Sequence, residues 1–305
     1  MGYAPNVFAN NLTRGQNNII GVIGYGLNYF GSSSVLTVIE GKINELDFSL
    51  TLNLIDKFDP SQVEAILYDL LALRVEGIIW AVPAIDQYID WLSSKVSRIQ
   101  TPVVYINKGP TESDFVSALD NQLGGRLGTT HLMQEGYQRI GFITGPLNWW
   151  ETQQRLAGWR EIVVKAGYAN IEDLVLEGAW TARSGEVGLH TLLAQEPRID
   201  AVFVSNDQMA LSAMQASRRL GLRIPDDLGI VGFDDIPEAA YFYPPLTTIR
   251  EDPRELGAMA VERIDAIINA RGTGVDLEPN ISWSLPGLVV RESSLRESES
   301  VNETK

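Results

Sequence analysis

"MQEGYQRIGFITGP", residues 133–146, decides how this chain divides. A helical stretch stops at Gly136, a short apolar run follows, and that run ends in a glycine–proline turn. It reads as a fresh start after an alternation that is already under way. Upstream, apolar runs fall at "IIGVIG" (19–24), "LTLNLI" (50–55), "GIIWAV" (77–82) and "PVVYIN" (102–107). Downstream they fall at "RIGFIT" (139–144), "AVFVSN" (201–206) and "LGIVGF" (228–233). Helical spacing fills the gaps: "QVEAILYDLLALRV" puts Val63, Ile66, Leu67, Leu70 and Leu71 on one stripe. Strands alternating with helices mean parallel sheets covered on both faces. The runs outnumber what a single open sheet usually carries, and the restart splits them. The expected fold is α/β: two similar three-layer αβα subdomains with parallel sheets.

Composition narrows the function. The 305 residues suffice for two lobes with real cores. The formal net charge is −15, so most of the surface repels phosphate backbones, and any contact with nucleic acid is local or comes from a segment outside this sequence. Zero cysteines removes disulfides, thiolate metal sites and cysteine nucleophiles together. His131 and His190 are the two histidines, each in a helical stretch without a serine or carboxylate at a motif spacing. No catalytic residue, metal or cofactor is therefore expected, and the chain is not read as an enzyme. No window approaches the ~20 apolar residues of a membrane helix, and the N-terminus lacks a secretion signal. The expected location is cytoplasmic, with no membrane partner. The final residues, "SSLRESESVNETK" (293–305), are too polar to pack and are expected to be disordered.

Candidate ligand residues gather at the ends of the apolar runs, where open α/β sheets bind ligands. The first run ends in "GYGLNYFG" (24–31). A dinucleotide fingerprint needs a third glycine where Tyr29 stands, and a tyrosine blocks the close approach of helix to strand. Two readings remain for this turn. It has no ligand role, or it presents Tyr25, Asn28, Tyr29 and Phe30 to a cleft. "VSNDQMA" sets Asn206 and Asp207 after one run, and "VGFDDIPEA" sets Asp234 and Asp235 after the next. Helix capping and turn chemistry account for Asp207 and Asp235, whereas Asn206 and Asp234 supply the mixed donors and acceptors that neighbouring sugar hydroxyls require. "GPLNWWETQQRLAGW" adds Trp149, Trp150, Glu151 and Arg155, and "LEGAWTARSG" adds Trp180. Trp159 fits a helix core. Trp149 and Trp180 lie in loops, where packing and an aromatic plate for a sugar ring are equally open.

In order along the chain, "GYAPNVFANNL", "GRLGTTHLMQEGYQRIGFITGP", "QQRLAGW", "VSNDQMALSAMQA", "LGLRIPDDLGIVGFDDIPEA" and "PPLTTIREDPRELGAMAVERI" together resemble the LacI/GalR family of bacterial transcriptional regulators, from residue 2 to about 292. The resemblance implies a periplasmic-binding-protein-like pair of subdomains with a ligand cleft between them. Carried onto this chain they cover 18–136 plus 249–278 and 137–248 plus 279–292. It implies a small-molecule effector, a sugar first of all, held by Arg155, Asn206 and Asp234, with Trp149 and Trp180 in cleft loops and Phe30 and Glu251 facing the cleft. It implies a homodimer that grips operator DNA through a helix-turn-helix outside this sequence. It also implies a hinge over residues 1–17, in which Ala9, Asn10 and Leu12 match the minor-groove wedge pattern. The chain departs from the family at Asn28–Gly31, where "N-Y-F-G" replaces "N-P-F-F", and at Leu123, where some sugar-responsive members carry an acid. A transport-associated sugar-binding protein of the same fold and a purine-responsive regulator are the alternatives.

Overall fold

The computed structural model describes residues 17–55, 57–85, 91–92, 94–109 and 111–296. Ala9, Asn10 and Leu12 lie outside these residues. The chain opens with β1 (Ile19–Tyr25), α1 (Phe30–Glu45), β2 (Ser49–Ile55), α2 (Pro60–Ala72), β3 (Gly77–Ala81), β4 (Val103–Ile106) and β5 (Phe115–Leu119). There follow α3 (Asn121–Gln134), β6 (Ile140–Thr144), α4 (Trp150–Lys165), β7 (Val175–Glu177), α5 (Ala182–Gln195), β8 (Ala201–Val204), α6 (Asp207–Arg219), β9 (Gly229–Asp234) and β10 (Thr247–Arg250). The last elements are α7 (Pro253–Gly272), β11 (Ile281–Ser284) and β12 (Gly287–Val289).

These elements form two compact units. Among the described residues, the first runs from Asn17 to Leu119 and regains Asp252–Ser284; the second holds Asp120–Glu251 and Leu285–Arg296. In the first unit the strand order is β11-β5-β4-β3-β1-β2, all parallel. Ile20, Val22, Ile79 and Val104 pack from this sheet against Ile39 and Ile43 of α1 and Val261 and Ile264 of α7. In the second unit the order is β12-β10-β9-β8-β6-β7, parallel except for β12, which runs antiparallel to β10. β6, β8 and β9 are buried along their whole length, as befits parallel strands covered on both faces. The α/β fold with two parallel sheets is thus as expected. Five strands were not anticipated. β7, β10, β11 and β12 are runs of three or four residues, and β5 carries a serine at its centre.

The boundaries differ from those expected, for a reason visible in α3. Residues 120–136 were placed with the first subdomain, yet α3 packs into the second. Phe142, Phe203 and Phe233 line up across β6, β8 and β9, with ring centroids 5.0 and 6.5 Å apart. Gly128 of α3 faces Phe203 and Gly124 faces Phe233. The neighbouring Gly125 faces α4: a Cβ there would stand 2.2 Å from the Arg155 carbonyl oxygen, and one on Gly158 would stand 2.1 Å from that of Gln122. The two helices therefore meet backbone to backbone. Ile281–Ser284, expected in the second subdomain, instead pairs with β5 in the first sheet. Ser293 and Ser294, expected in a disordered tail, are fully buried. Ser293 Oγ donates to the Ile230 carbonyl at 2.6 Å, and Ser294 Oγ lies 2.7 Å from His131 Nε2. His131 is thus a satisfied core histidine, and His190 is an exposed one on α5. Trp159 is fully buried beside Phe142, 5.9 Å between centroids, as its spacing predicted.

Gly158→Ala is expected to lower the urea-unfolding free energy by roughly 1–3 kcal/mol, since the obstructing atoms are backbone and cannot rotate away. Gly41→Ala in α1, where an added Cβ meets nothing within 4 Å, should instead gain a few tenths to about 1 kcal/mol.

Candidate functional site

In a parallel sheet all carboxyl ends emerge on one edge. In the second unit that edge carries the Gly145–Trp149 loop after β6, the Gly178–Thr181 loop after β7, Ser205 and Asn206 after β8, Asp234 at the end of β9, and Glu251 just past β10. That edge thus carries Trp149, Trp180, Asn206 and Asp234, which the sequence set near strand ends, and Glu251, which the family resemblance added.

Arg155 is the centre. It sits one turn into α4, is 6% exposed, and reaches the strand ends because α3 and α4 lie so close. Its Nε donates to Asn121 Oδ1 at 2.8 Å and its Nη1 to the Ser205 carbonyl at 2.5 Å. The guanidinium carbon stands 3.5 Å from the centroid of the Phe233 ring and 5.6 Å from that of Trp180. Asp234 Oδ1 lies 3.8 Å from Nη1, an ion pair without a direct hydrogen bond. Trp180 and Trp149 lie 5.6 Å apart at 57°. The Trp180 indole rests where a side chain on Gly145 would be, 2.1 Å from that position.

Asn206 serves two ends. Its Oδ1 accepts from the Met209 N–H at 2.8 Å, capping α6, and its Nδ2 donates to the Trp180 carbonyl at 3.1 Å. Capping thus falls to Asn206. Asp207, for which the sequence allowed a capping role, is fully buried and accepts from Thr248 Oγ1 at 2.6 Å and the Ile236 N–H at 2.9 Å. Asp235 is clamped by Arg250 at 2.6 Å and Arg291 at 2.7 Å. Between them these two acids hold the turn after β9. That turn needs holding: Asp234 and Asp235 have φ of +108° and +55°, and Trp180 has +63°. Left-handed backbone at a residue with a side chain costs about 1–3 kcal/mol and survives where its surroundings fix it.

Three carboxylates share the neighbourhood of the one guanidinium. Burial raises the Glu151 carboxyl to about 7, against the opposing pull of its own backbone hydrogen bond and of Arg155. Burial also pushes Asp234 well above the usual carboxylate range, with Glu251 adding repulsion and Arg155 opposing. Glu251 moves up through burial, again opposed by Arg155. Sequence reasoning noted Glu151 beside Arg155 but did not select it. Its spacing one turn before Arg155 in the first turn of α4 was the available signal.

The remaining candidates belong to the first unit. Tyr25 ends β1, Asn28 is exposed in the following turn, and Phe30 begins α1. Tyr25 and Tyr29 stack at 6.3 Å. Gly26 has φ +56°, and a Cβ there would meet the Tyr29 ring at 2.6 Å. Tyr29 thus occupies the space beside the turn that a pyrophosphate-binding loop leaves open. This unit also has a mostly apolar recess lined by Trp80, Tyr105 and Lys108 among others, about 310 Å³ counted out into open solvent. Lys108 is 4% exposed, paired with Asp114 and set 4.1 Å over the Tyr105 ring, so its charge is compensated within the unit.

Comparison with known proteins gives a consistent picture. The family described as a periplasmic binding protein-like domain matches residues 129–294. The lactose operon repressor of Escherichia coli (strain K12) is 33% identical over 267 residues, 87% of this chain and 72% of that protein. The transcriptional repressor PurR of Haemophilus influenzae (strain ATCC 51907) is 31% identical over 293 residues, 96% of this chain and 86% of that protein. Among solved structures, the Lac repressor dimer bound to operator and the anti-inducer ONPF matches with a TM-score of 0.86 at 30% identity, covering 97% of this chain and 100% of that one. A complex of the transcriptional regulator CelR with cellobiose matches at 0.81 and 25% identity, covering 95% and 91%. These relatives are transcriptional regulators rather than enzymes.

Two outcomes test the electrostatics. A folded-state pKa raised above the unfolded value contributes stability that is full at low pH and lost as pH rises through the folded pKa. Glu151→Gln is therefore expected to raise the thermal midpoint at pH 8, by about 1–3 kcal/mol of stability, and to change little at pH 5. Asp114→Asn leaves the Lys108 charge buried without its partner, and should cost about 3–5 kcal/mol in chemical denaturation.

Proposed function

The chain belongs to the LacI/GalR family of transcriptional regulators, and we propose that the strand-end edge of its second unit binds a small carbohydrate effector that modulates operator binding. The observation that carries this reading is the buried Arg155, fixed by Asn121 and Ser205, beside the Asp234 carboxylate and the Trp149–Trp180 pair. Carboxylate and guanidinium side by side accept from and donate to vicinal hydroxyls, and an indole face covers the apolar side of a sugar ring. Asn206 keeps one amide hydrogen beyond its bond to Trp180, and Glu251 adds a carboxylate from the end of β10. The cellobiose complex among the solved relatives supports this effector class. Tyr25, Asn28 and Phe30, in the first unit, remain expectations of the sequence, and the reading stands on the second unit alone.

In this proposal the protein acts in the cytoplasm as a homodimer. Its N-terminal segment with Ala9, Asn10 and Leu12 contacts operator DNA next to a helix-turn-helix. The effector acts by binding one conformational state better than another, and its influence on the DNA is bounded by that difference. A purine effector is the second reading, favoured by the 31% identity to PurR.

A thermal-shift screen of cellobiose, lactose, glucose, galactose, hypoxanthine and guanine separates the two. A ligand at 100 times its Kd adds ~2.7 kcal/mol of stability, a clear displacement of the midpoint. A sugar is expected to give it, and Arg155→Ala and Asp234→Ala should each abolish the corresponding heat in calorimetry. A shift with the purines and none with the sugars would overturn the carbohydrate reading.

A further inference from the structure

Asp234 is presented beside Arg155 by a backbone turn that residues with side chains avoid: φ is +108° at Asp234 and +55° at Asp235. Two amide bonds help to hold it. The Asp235 N–H reaches Thr248 Oγ1 at 3.4 Å, and the Ile236 N–H reaches Asp207 Oδ2 at 2.9 Å. The Asp235 carboxylate adds two more fastenings, one oxygen to each of two arginines. Arg250 gives its Nε to Oδ2 at 2.6 Å, but its side chain is 58% exposed, so solvent screens that pair. Arg291 is 18% exposed and spans two points. Its Nη2 donates to Asp235 Oδ1 and its Nη1 to the Leu246 carbonyl, each at 2.7 Å. Asp235 and Leu246 are the first and last residues between β9 and β10, so one planar fork closes that excursion at its base. The fork is itself anchored. The Arg291 N–H donates to Thr247 Oγ1, and that hydroxyl donates back to the Arg291 carbonyl, both at 2.8 Å.

We infer that Arg291 is a positioning residue for the effector: it acts through Asp235, holds the turn that presents Asp234, and so sets how tightly the strand-end edge binds. The chain's stretch after β12 thereby belongs to the binding apparatus. Its neighbour Ser293 fastens the same stretch elsewhere. Ser293 Oγ accepts from the Thr247 N–H at 2.8 Å and donates to the Ile230 carbonyl at 2.6 Å, near the starts of β10 and β9, the ends of those strands away from the site. Removing the Ser293 hydroxyl therefore loosens the stretch without freeing the turn, whereas removing the Arg291 fork frees the turn. A lysine keeps the charge of Arg291 but offers one nitrogen, which cannot hold Asp235 and Leu246 in the same planar arrangement. The inference rests on the effector site proposed above and names a residue outside it that tunes it.

Two measurements on the whole chain test it. The first needs no ligand: amide hydrogen exchange read by NMR. Arg291→Gln and Arg291→Lys are expected to speed exchange at Asp235 and Ile236 by about tenfold or more, while the Met209 amide that Asn206 caps keeps its wild-type rate. The second is calorimetry with cellobiose, lactose, glucose and galactose. A sugar bound by the wild type is expected to bind both Arg291 variants about tenfold more weakly, and Arg250→Gln within about threefold of wild type. Ser293→Ala is expected to lower the thermal midpoint at least as far as Arg291→Lys does and yet to keep wild-type affinity, which separates positioning from stability. Unchanged exchange at Asp235 and Ile236, or a sugar held as tightly by Arg291→Gln as by the wild type, would overturn the inference. Binding of hypoxanthine or guanine in place of every sugar would overturn the carbohydrate reading alone. The exchange rates then decide on Arg291, faster exchange upholding its role and unchanged exchange ending it.

Discussion

A guanidinium cannot shed its proton inside a protein, so burying one commits everything around it to compensation. Arg155 is that commitment here. Its two bonded nitrogens tie α4 to α3 through Asn121 and to the end of β8 through the Ser205 carbonyl, and its plane lies over Phe233 of β9. The close approach at Gly125 and Gly158 delivers it: a wider helix crossing would leave the side chain short of the strand ends. The row of Phe142, Phe203 and Phe233 forms an apolar floor that gives the charge no water to retreat to. Core packing and site chemistry are therefore one construction in this unit.

The same construction accounts for the strained backbone. Trp180, Asp234 and Asp235 each take a positive φ, and each is fastened from outside. The Trp180 carbonyl accepts from Asn206, Asp235 is held between Arg250 and Arg291, and Asp207 accepts the Ile236 N–H. Arg291 joins from the stretch after β12, so the last segment of the second unit helps to secure the β9 turn. Groups held this way meet a ligand already in place, and less conformational freedom is lost on binding.

Much of this was legible in the sequence, and the failures have physical reasons. Asn206 and Asp234 stood out because each directly follows an apolar run, and a parallel sheet sends those ends to one edge, whereas Arg155 and Trp180 stood out by residue type in "GPLNWWETQQRLAGW" and "LEGAWTARSG" and by the family resemblance. The roles of Asp207 and Asn206 were less legible. Both residue types cap helices, and only the buried Thr248 hydroxyl and the Ile236 N–H draw Asp207 away from that task. The boundary near residue 120 was misplaced because periodicity gives a helix its stripe but not its partner. Gly124, Gly125 and Gly128 carried the missing signal. Glycine inside a helix costs about 1 kcal/mol against alanine, and three of them in one helix are retained where something must come close. The short strands β7 and β12 hold three residues each, too few for any alternation to register.

The two carboxylates that the sequence treated as neighbours of the site, Glu151 and Glu251, bear on what the site is for. Each is carried at an energetic disadvantage in the unliganded protein, since burial disfavours the charged form and a single guanidinium opposes it. Packing alone would be better served by a neutral residue of the same size at either position. Glu251 is also the last residue of the second unit before the chain passes, at Asp252, into the N-cap of α7 in the first. A carboxyl of the strand-end edge is thus covalently next to the passage of the chain from the second unit into the first.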